Sequence, residues 1–261
     1  HYLRASDDWS FIWSEGAELV FECARLWPSL GHFNPCRDGA FCIDTVTGPD
    51  EYTAIVNNNY YTNAMAKIHL EFAVELAMKL KAQSQERYQV LCQKLALSEQ
   101  EVLQWQNIAG RMYLPYDESK NITPQDDSFL GKKPWDFAGT PKEKYPLLLN
   151  YHPLVIYRHQ VLKQADVILA DFLQDDGVEA GLKRNNLAFY EPLTTHDSTL
   201  SACTHSIAYS ELGDSQKAYE YFEETLMTDL DNRHQNTHYG IHTAAMAGSW
   251  MCICQGFAGL R

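Results

Sequence analysis

Apolar residues return every three or four positions over most of the 261-residue chain, the spacing that lines one face of an α-helix. From Trp9 to about Trp27 the stripe is Phe11, Ile12, Ala17, Val20, Phe21, Ala24 and Leu26. Pro28 is expected to end it, because proline lacks the N–H that a helix interior needs. Gly31 to Thr47 is rich in turn residues and predicts a small hairpin. Asn57 to about Gln83 carries Tyr60, Tyr61, Ala64, Met65, Ile68, Phe72, Leu76 and Leu80 on one face, a helix that lines a core. Ser98 followed three residues later by Glu101 spells a capping box, opening a helix through Val102, Trp105 and Ile108. Regularity stops from Tyr113 to Asn150, where prolines 115, 124, 134, 141 and 146 predict an elaborated loop of the kind that carries sites. Helices are predicted again over 154–173, 178–188, 199–212, 215–228 and 243–257.

No strand–helix alternation is visible, so the class is all-α. Antiparallel helix pairs without intervening strands form either a bundle or a closed ring, and the number of helices favours the ring. The stretch from Asp214 to Phe222 has the look of one helical-hairpin unit, without a strict repeat period. A length of 261 residues with 45% hydrophobic content supports one large core, read as one unit.

Charge narrows the partners. The formal net charge of -13 and the scattered Lys and Arg leave no basic stripe, so neither a nucleic-acid backbone nor an anionic membrane surface is an expected partner. Seven cysteines, with no paired CxxC spacing, argue against a disulfide framework or a zinc site. They read as reduced, mostly buried thiols of a cytosolic protein. No apolar run is long enough to span a bilayer, and no signal peptide opens the chain. The chain begins at His1 with no initiator methionine and reads as a segment of something longer.

Three clusters carry polar chemistry beyond what packing needs. In Gly48-Pro49-Asp50-Glu51-Tyr52 a glycine and a proline force a turn that would hold Glu51 at the mouth of the next helix, where it can be aimed as a general acid. Negative charge there equally well starts a helix. Asn57, Asn58, Asn59 and Asn63 follow, as candidates for hydroxyl recognition or as turn and cap residues. The second cluster, Lys163-Gln164-Ala165-Asp166, lies in an otherwise apolar predicted helix, where a lysine and an amide either grip vicinal hydroxyls or face water.

The third runs from Thr194 to Ser201 and puts His196, Ser198 and Thr199 where a helix begins, a ready place for an anion such as phosphate. Asp197 or Ser198 is alternatively an ordinary N-cap. Tyr239-Gly240-Ile241-His242 adds a second imidazole before the small-residue helix that contains Gly248 and Ser249. One acid opposite an anion site, with no second carboxylate in an evident catalytic setting, hints at phosphorolysis. Hydrolysis with inversion needs a base to activate water, whereas phosphate is its own nucleophile.

Gly48 to Tyr52 with Asn58-Asn59 and Tyr61-Thr62-Asn63, Lys163 to Asp166, Tyr190-Glu191-Pro192 with His196-Asp197-Ser198, and Gly240-Ile241-His242 through Trp250 closely resemble glycoside hydrolase family 65, in order and over nearly the whole chain. That family includes maltose, trehalose and kojibiose phosphorylases. The resemblance implies an (α/α)6 barrel and an inverting mechanism that releases β-glucose 1-phosphate. It also implies a cytoplasmic enzyme acting on an α-linked glucose disaccharide and inorganic phosphate, without metal or organic cofactor, and often dimeric.

Residue by residue, Glu51 matches the family's general acid, and Lys163 and Gln164 match residues that hold the transferred glucose. His196, Ser198, Thr199 and His242 match the phosphate pocket, with Gly248 and Ser249 close by. The family's N-terminal β-sandwich, first barrel helices and C-terminal β domain have no counterpart among residues 1–261, which therefore read as the C-terminal portion of one catalytic barrel. Thr53 stands where several relatives place histidine beside the acceptor sugar, which counts against maltose. An inverting α-glucoside hydrolase of the same family and an inert sugar-binding fragment are the alternatives.

Overall fold

Where a backbone N–H finds a distant partner, the helices foretold by apolar spacing stop. The computed structural model describes residues 2–174 and 177–260, and these form two compact units. One comprises residues 1–44 and 62–114, the other 45–61 and 115–261. Helices dominate: α1 (Tyr2–Ser6), α2 (Trp9–Phe11), α3 (Ala17–Ala24), α4 (Leu26–Leu30), α5 (Tyr60–Gln83), α6 (Gln85–Leu95), α7 (Glu99–Arg111), α8 (Pro153–Ile156), α9 (Asp166–Leu173), α10 (Ala180–Tyr190), α11 (Ser201–Glu211), α12 (Ser215–Leu226) and α13 (Thr243–Met251). The class is all-α, consistent with the helical hairpins of the (α/α)6 arrangement. No helix among the described residues is long and apolar enough to cross a membrane.

In the first unit, the stripe from Trp9 is interrupted by a π-helical turn at Ile12–Gly16, and Pro28 falls inside α4 instead of ending the helix at its N-terminal side. Phe21 stacks on Trp105 of α7 in the core, with centroids 5.8 Å apart. The expected hairpin is present as β1 (Gly31–Asn34) paired antiparallel with β2 (Ala40–Ile43). On α5 the fully buried line runs through Ala66, Leu70, Ala73 and Leu80, while Tyr61, Met65, Ile68 and Phe72 are only partly covered. Alanines let a neighbour approach the helix axis more closely than the larger side chains do. The Ser98–Glu101 capping box forms in both directions.

In the second unit, the stretch 115–150 is the expected long loop, with short 3-10 turns, and its Leu147 packs with Tyr52, Trp135, Ile156 and Val161. The helix predicted over 154–173 is two helices, α8 and α9, with an extended segment between them that includes β4 (His159–Gln160), paired with β3 (Lys133–Pro134). Leu162 N–H donates to Leu193 O and Thr195 N–H to Leu162 O, both across some thirty residues, and those bonds replace the helical ones. After the turn at Gly213, α12 folds back along α11, with the rings of Tyr209 and Tyr221 stacked 5.8 Å apart. All seven cysteines are free thiols; Cys42, Cys203 and Cys252 are buried, but Cys23 and Cys36 are exposed, contrary to the expectation of mostly buried thiols.

Candidate active site

The acid loop is closed at its base and pinned at its tip. Val46 and Val56 exchange two backbone hydrogen bonds of 2.9 Å across it. Glu51 lies in a turn nine residues before α5 starts, not at a helix mouth as the sequence predicts, and its side chain is exposed. Its carboxylate forms an ion pair with the Lys163 ammonium. Beneath it Asp50 is fully buried: its Oδ1 accepts Lys163 N–H at 2.8 Å and Tyr52 N–H at 3.2 Å, and its Oδ2 accepts Gln125 Nε2 at 3.0 Å. Asp50 N–H donates in turn to Asp166 Oδ1 at 2.7 Å, whose other oxygen accepts Asn59 Nδ2 at 2.9 Å. Burial pushes the Asp50 carboxyl up to about 6, and burial next to Asp50 pushes Asp166 well above the ordinary range. Gly48 is required by close approach: a Cβ there would collide with Asp166 Oδ2 and the Asn59 side-chain amide.

Lys163 and Gln164 sit in the extended segment before α9, not in a helix, because Asp50 takes the Lys163 amide. Gln164 joins two motifs. Its Nε2 donates to Pro49 O at 2.8 Å, and its Oε1 accepts the Ser198 hydroxyl at 2.5 Å. A second tie runs beside it, from the Tyr52 hydroxyl to Asp197, which also accepts Leu147 N–H at 3.3 Å. Asp197 is therefore no N-cap. Ser198 is not the N-cap either: its Oγ accepts Leu200 N–H at 3.2 Å in the turn ahead of α11, whose cap position is Leu200, without a side-chain cap bond.

His196 adopts a left-handed φ of 56°, held by contacts on both ring nitrogens: Nδ1 with Ser201 Oγ at 2.9 Å and Nε2 with Tyr221 Oη at 3.1 Å. Tyr221 spends its one proton on Glu191 Oε1 at 2.5 Å, so His196 Nε2–H is the donor to Tyr221 and Nδ1 accepts from Ser201. Burial, followed by the neighbouring His205 and Lys217, lowers the His196 pKa to about 3. His205, buried deeper, is also lowered, and its Nε2 faces Glu191 Oε2 at 3.5 Å. Both imidazoles are thus neutral. Glu191, His196 and His205 bring one potential metal-ligand atom each within 4.8 Å of one another, the one such group among the described residues.

A cavity of about 440 Å³ opens here, lined by Thr195, His196, Ser198 and Thr199 from one side and by Lys217, Glu220, Tyr221, Glu224 and Thr228 from the other, with His234 at its edge. Three of the five predicted phosphate residues, His196, Ser198 and Thr199, share this wall. His242 does not line it: its Nδ1 meets Asp229 Oδ1 at 2.5 Å and its ring centroid is 6.3 Å from that of His234. Ser249 donates to Ala245 O one helical turn back and is not brought to the cavity. Sequence reasoning passed over Asp50, Asp166, Tyr52, His205, Lys217, Tyr221 and His234. The only sequence signal for them was an acid inside an apolar run (Asp166) and the nearness of Asp50 and Tyr52 to Glu51.

The Glycosyl hydrolase family 65 central catalytic domain matches residues 1–251. The chain belongs to this family. An α,α-trehalose phosphorylase of Geobacillus stearothermophilus is 52% identical over 260 residues, covering all of this chain and 34% of that protein. One from Thermoanaerobacter brockii is 46% identical over the same share, and a kojibiose phosphorylase of Halothermothrix orenii is 34% identical over 33% of its length. Among solved structures, a putative kojibiose phosphorylase from the human microbiome superposes with a TM-score of 0.90 at 30% identity, covering all of this family 65 chain and 36% of that one. The chain thus spans about a third of the length of the relatives it matches.

Proposed function

We propose that the protein carrying this chain is a cytoplasmic disaccharide phosphorylase that cleaves an α-glucosidic bond with inversion, α,α-trehalose being the first substrate to test in view of trehalose phosphorylase relatives at 52% and 46% identity. The observation that carries the reading is the physical tie between the two motifs: Gln164 bonds both the acid loop at Pro49 and the hydroxyl cluster at Ser198. A proton donor and a hydroxyl-lined anion site are thereby held on one frame.

In the proposed reaction a phosphate oxygen attacks the anomeric carbon from the face opposite the leaving sugar. The C1–O bond breaks as Glu51 gives its proton to the glycosidic oxygen, leaving β-glucose 1-phosphate and a free sugar. Lys163, paired with Glu51 here, would turn to the glucose hydroxyls alongside Gln164. Thr199 would donate to phosphate, while Ser198 and His196 would shape the wall, since the Ser198 O–H is given to Gln164 and the one His196 N–H to Tyr221. His242 and Ser249, which do not line the cavity, have no role in this scheme. No metal or organic cofactor has a role in this scheme.

The hydrolase alternative needs a free base. Asp197 is occupied by Tyr52 and Leu147 N–H, which disfavours it; Glu191 accepts Tyr221 on Oε1 alone, so it is the carboxylate on which that alternative rests. The experiment is to incubate the protein with trehalose, kojibiose or maltose, with and without phosphate. β-Glucose 1-phosphate formed only with phosphate, and lost in Glu51→Gln, is the expected result; glucose released without phosphate would overturn it in favour of the hydrolase, and no turnover in favour of the inert fragment.

A further inference from the structure

Glu51 and Lys163 are 112 residues apart, and their side chains meet at the surface of the second unit. What sets their meeting is below them. A single buried oxygen, Asp50 Oδ1, accepts the backbone N–H of Lys163 and the backbone N–H of Tyr52, so it grips both strands of chain from which the paired side chains grow. That oxygen is itself immobilised. Its sister Oδ2 is held by Gln125, and the Asp50 amide is held by Asp166. Other anchors act elsewhere: the valine bridge closes the base of the loop, and the Tyr52 ring sits in the apolar cluster with Trp135 and Leu147. Asp50 links the tip of the acid loop to the Lys163 segment by accepting one main-chain N–H from each, beside the separate tie from the Gln164 side chain to Pro49 O.

We propose that Asp50 is a positioning residue for proton donation: it fixes Glu51 and Lys163 in mutual register by accepting one amide from each of their segments. The inference rests on Glu51 being the general acid, and it predicts which step suffers. An acid displaced by about 1 Å costs on the order of 10²-fold in rate, without loss of the phosphate site. A leaving group that departs without a proton should be spared.

Three variants and two glucosyl donors decide it in the intact protein. Asp50→Ala is expected to lower kcat for disaccharide phosphorolysis roughly 10²-fold while changing KM for phosphate less than about 3-fold. With α-glucosyl fluoride, whose fluoride leaves with far less help from an acid, kcat should fall less than about 5-fold. Asp50→Asn keeps the accepting oxygen, and Gln125 can turn to it its Oε1, which has no hydrogen-bond partner among the described residues; this variant should restore most of the loss. Gln125→Leu, which releases Oδ2, should show the same split between donors at smaller size, and serves if Asp50→Ala does not fold.

Amide hydrogen exchange gives a readout independent of turnover: the Tyr52 and Lys163 N–H groups should exchange faster in Asp50→Ala and stay protected in Asp50→Asn. Equal losses with both donors, or Asn no better than Ala, would overturn the proposal. So would exchange rates unchanged in Asp50→Ala. If the wild-type protein makes no β-glucose 1-phosphate, the phosphorylase reading fails, and the exchange measurement still tests the register.

Discussion

The acid loop and the histidine–hydroxyl cluster are both secured by buried titratable groups, but of opposite kinds. Under the loop lie two carboxyls, Asp50 and Asp166, whose protons are held more tightly than usual; in the cavity wall lies His196 and against it His205, two imidazoles that resist taking a proton. Burial disfavours the charged form in both, so the same physics moves acids up and bases down. The lesson concerns the cavity proposed for phosphate. If phosphate binds in this cavity as proposed, imidazolium at His196 does not supply the positive charge, and Lys217 among the lining residues is a cation that can.

Glu51→Gln should break the acid half alone, with kcat for disaccharides falling about 10²- to 10⁴-fold and phosphate affinity intact, as steady-state kinetics against both substrates would reveal. A comparable loss of phosphate affinity would mean that the halves are not separable. Next in size is Gly48→Ala, whose methyl must displace Asp166. It should destabilise by about 1–3 kcal/mol, read as a fall in melting temperature. Tyr221→Phe strands Glu191 and His196 and should cost about 1–2 kcal/mol in denaturant unfolding, with kcat for α-glucosyl fluoride and for disaccharide falling together if at all.

The smallest effect is the most diagnostic. Asp50, raised to about 6 against an ordinary value near 3.8, contributes stability that is complete below about pH 4 and lost as pH rises to about 6. His196, lowered to about 3 from 6.5, contributes stability that is complete above pH 6.5 and lost as pH falls toward 3. Unfolding free energies of Asp50→Asn, measured from pH 4 to 8, should show a smaller first decline, since Asp166 and Asp171 are raised by burial as well, and keep the second. If the wild-type and variant curves run parallel, Asp50 does not titrate in this range.

How much was legible in the chain depends on the range of the interaction. The helical class, the Ser98–Glu101 capping box, the hairpin at 31–43 and the start of α11 beside Ser198 rest on contacts within a few residues, and each was written in spacing and residue type. The helix predicted through Lys163 was not real, because its N–H belongs to a carboxylate 113 residues away. Glu51 was expected at a helix mouth for the same reason, since nothing local says that the chain will pair Val46 with Val56 before α5 begins. Tyr221 and His205 looked like ordinary residues of amphipathic helices until the α11–α12 hairpin turned them toward His196.

By itself the sequence determined the all-α class, the order of the motifs and their membership in family 65, since periodicity, capping and motif spelling are local properties. Tertiary structure alone decided that Asp50 lies buried under Glu51, that Gln164 ties the acid loop to Ser198, and that His196 stays neutral with both nitrogens engaged. Desolvation and hydrogen bonding between different elements of the fold have no signature in residue spacing, and in this chain they set the chemistry of the site.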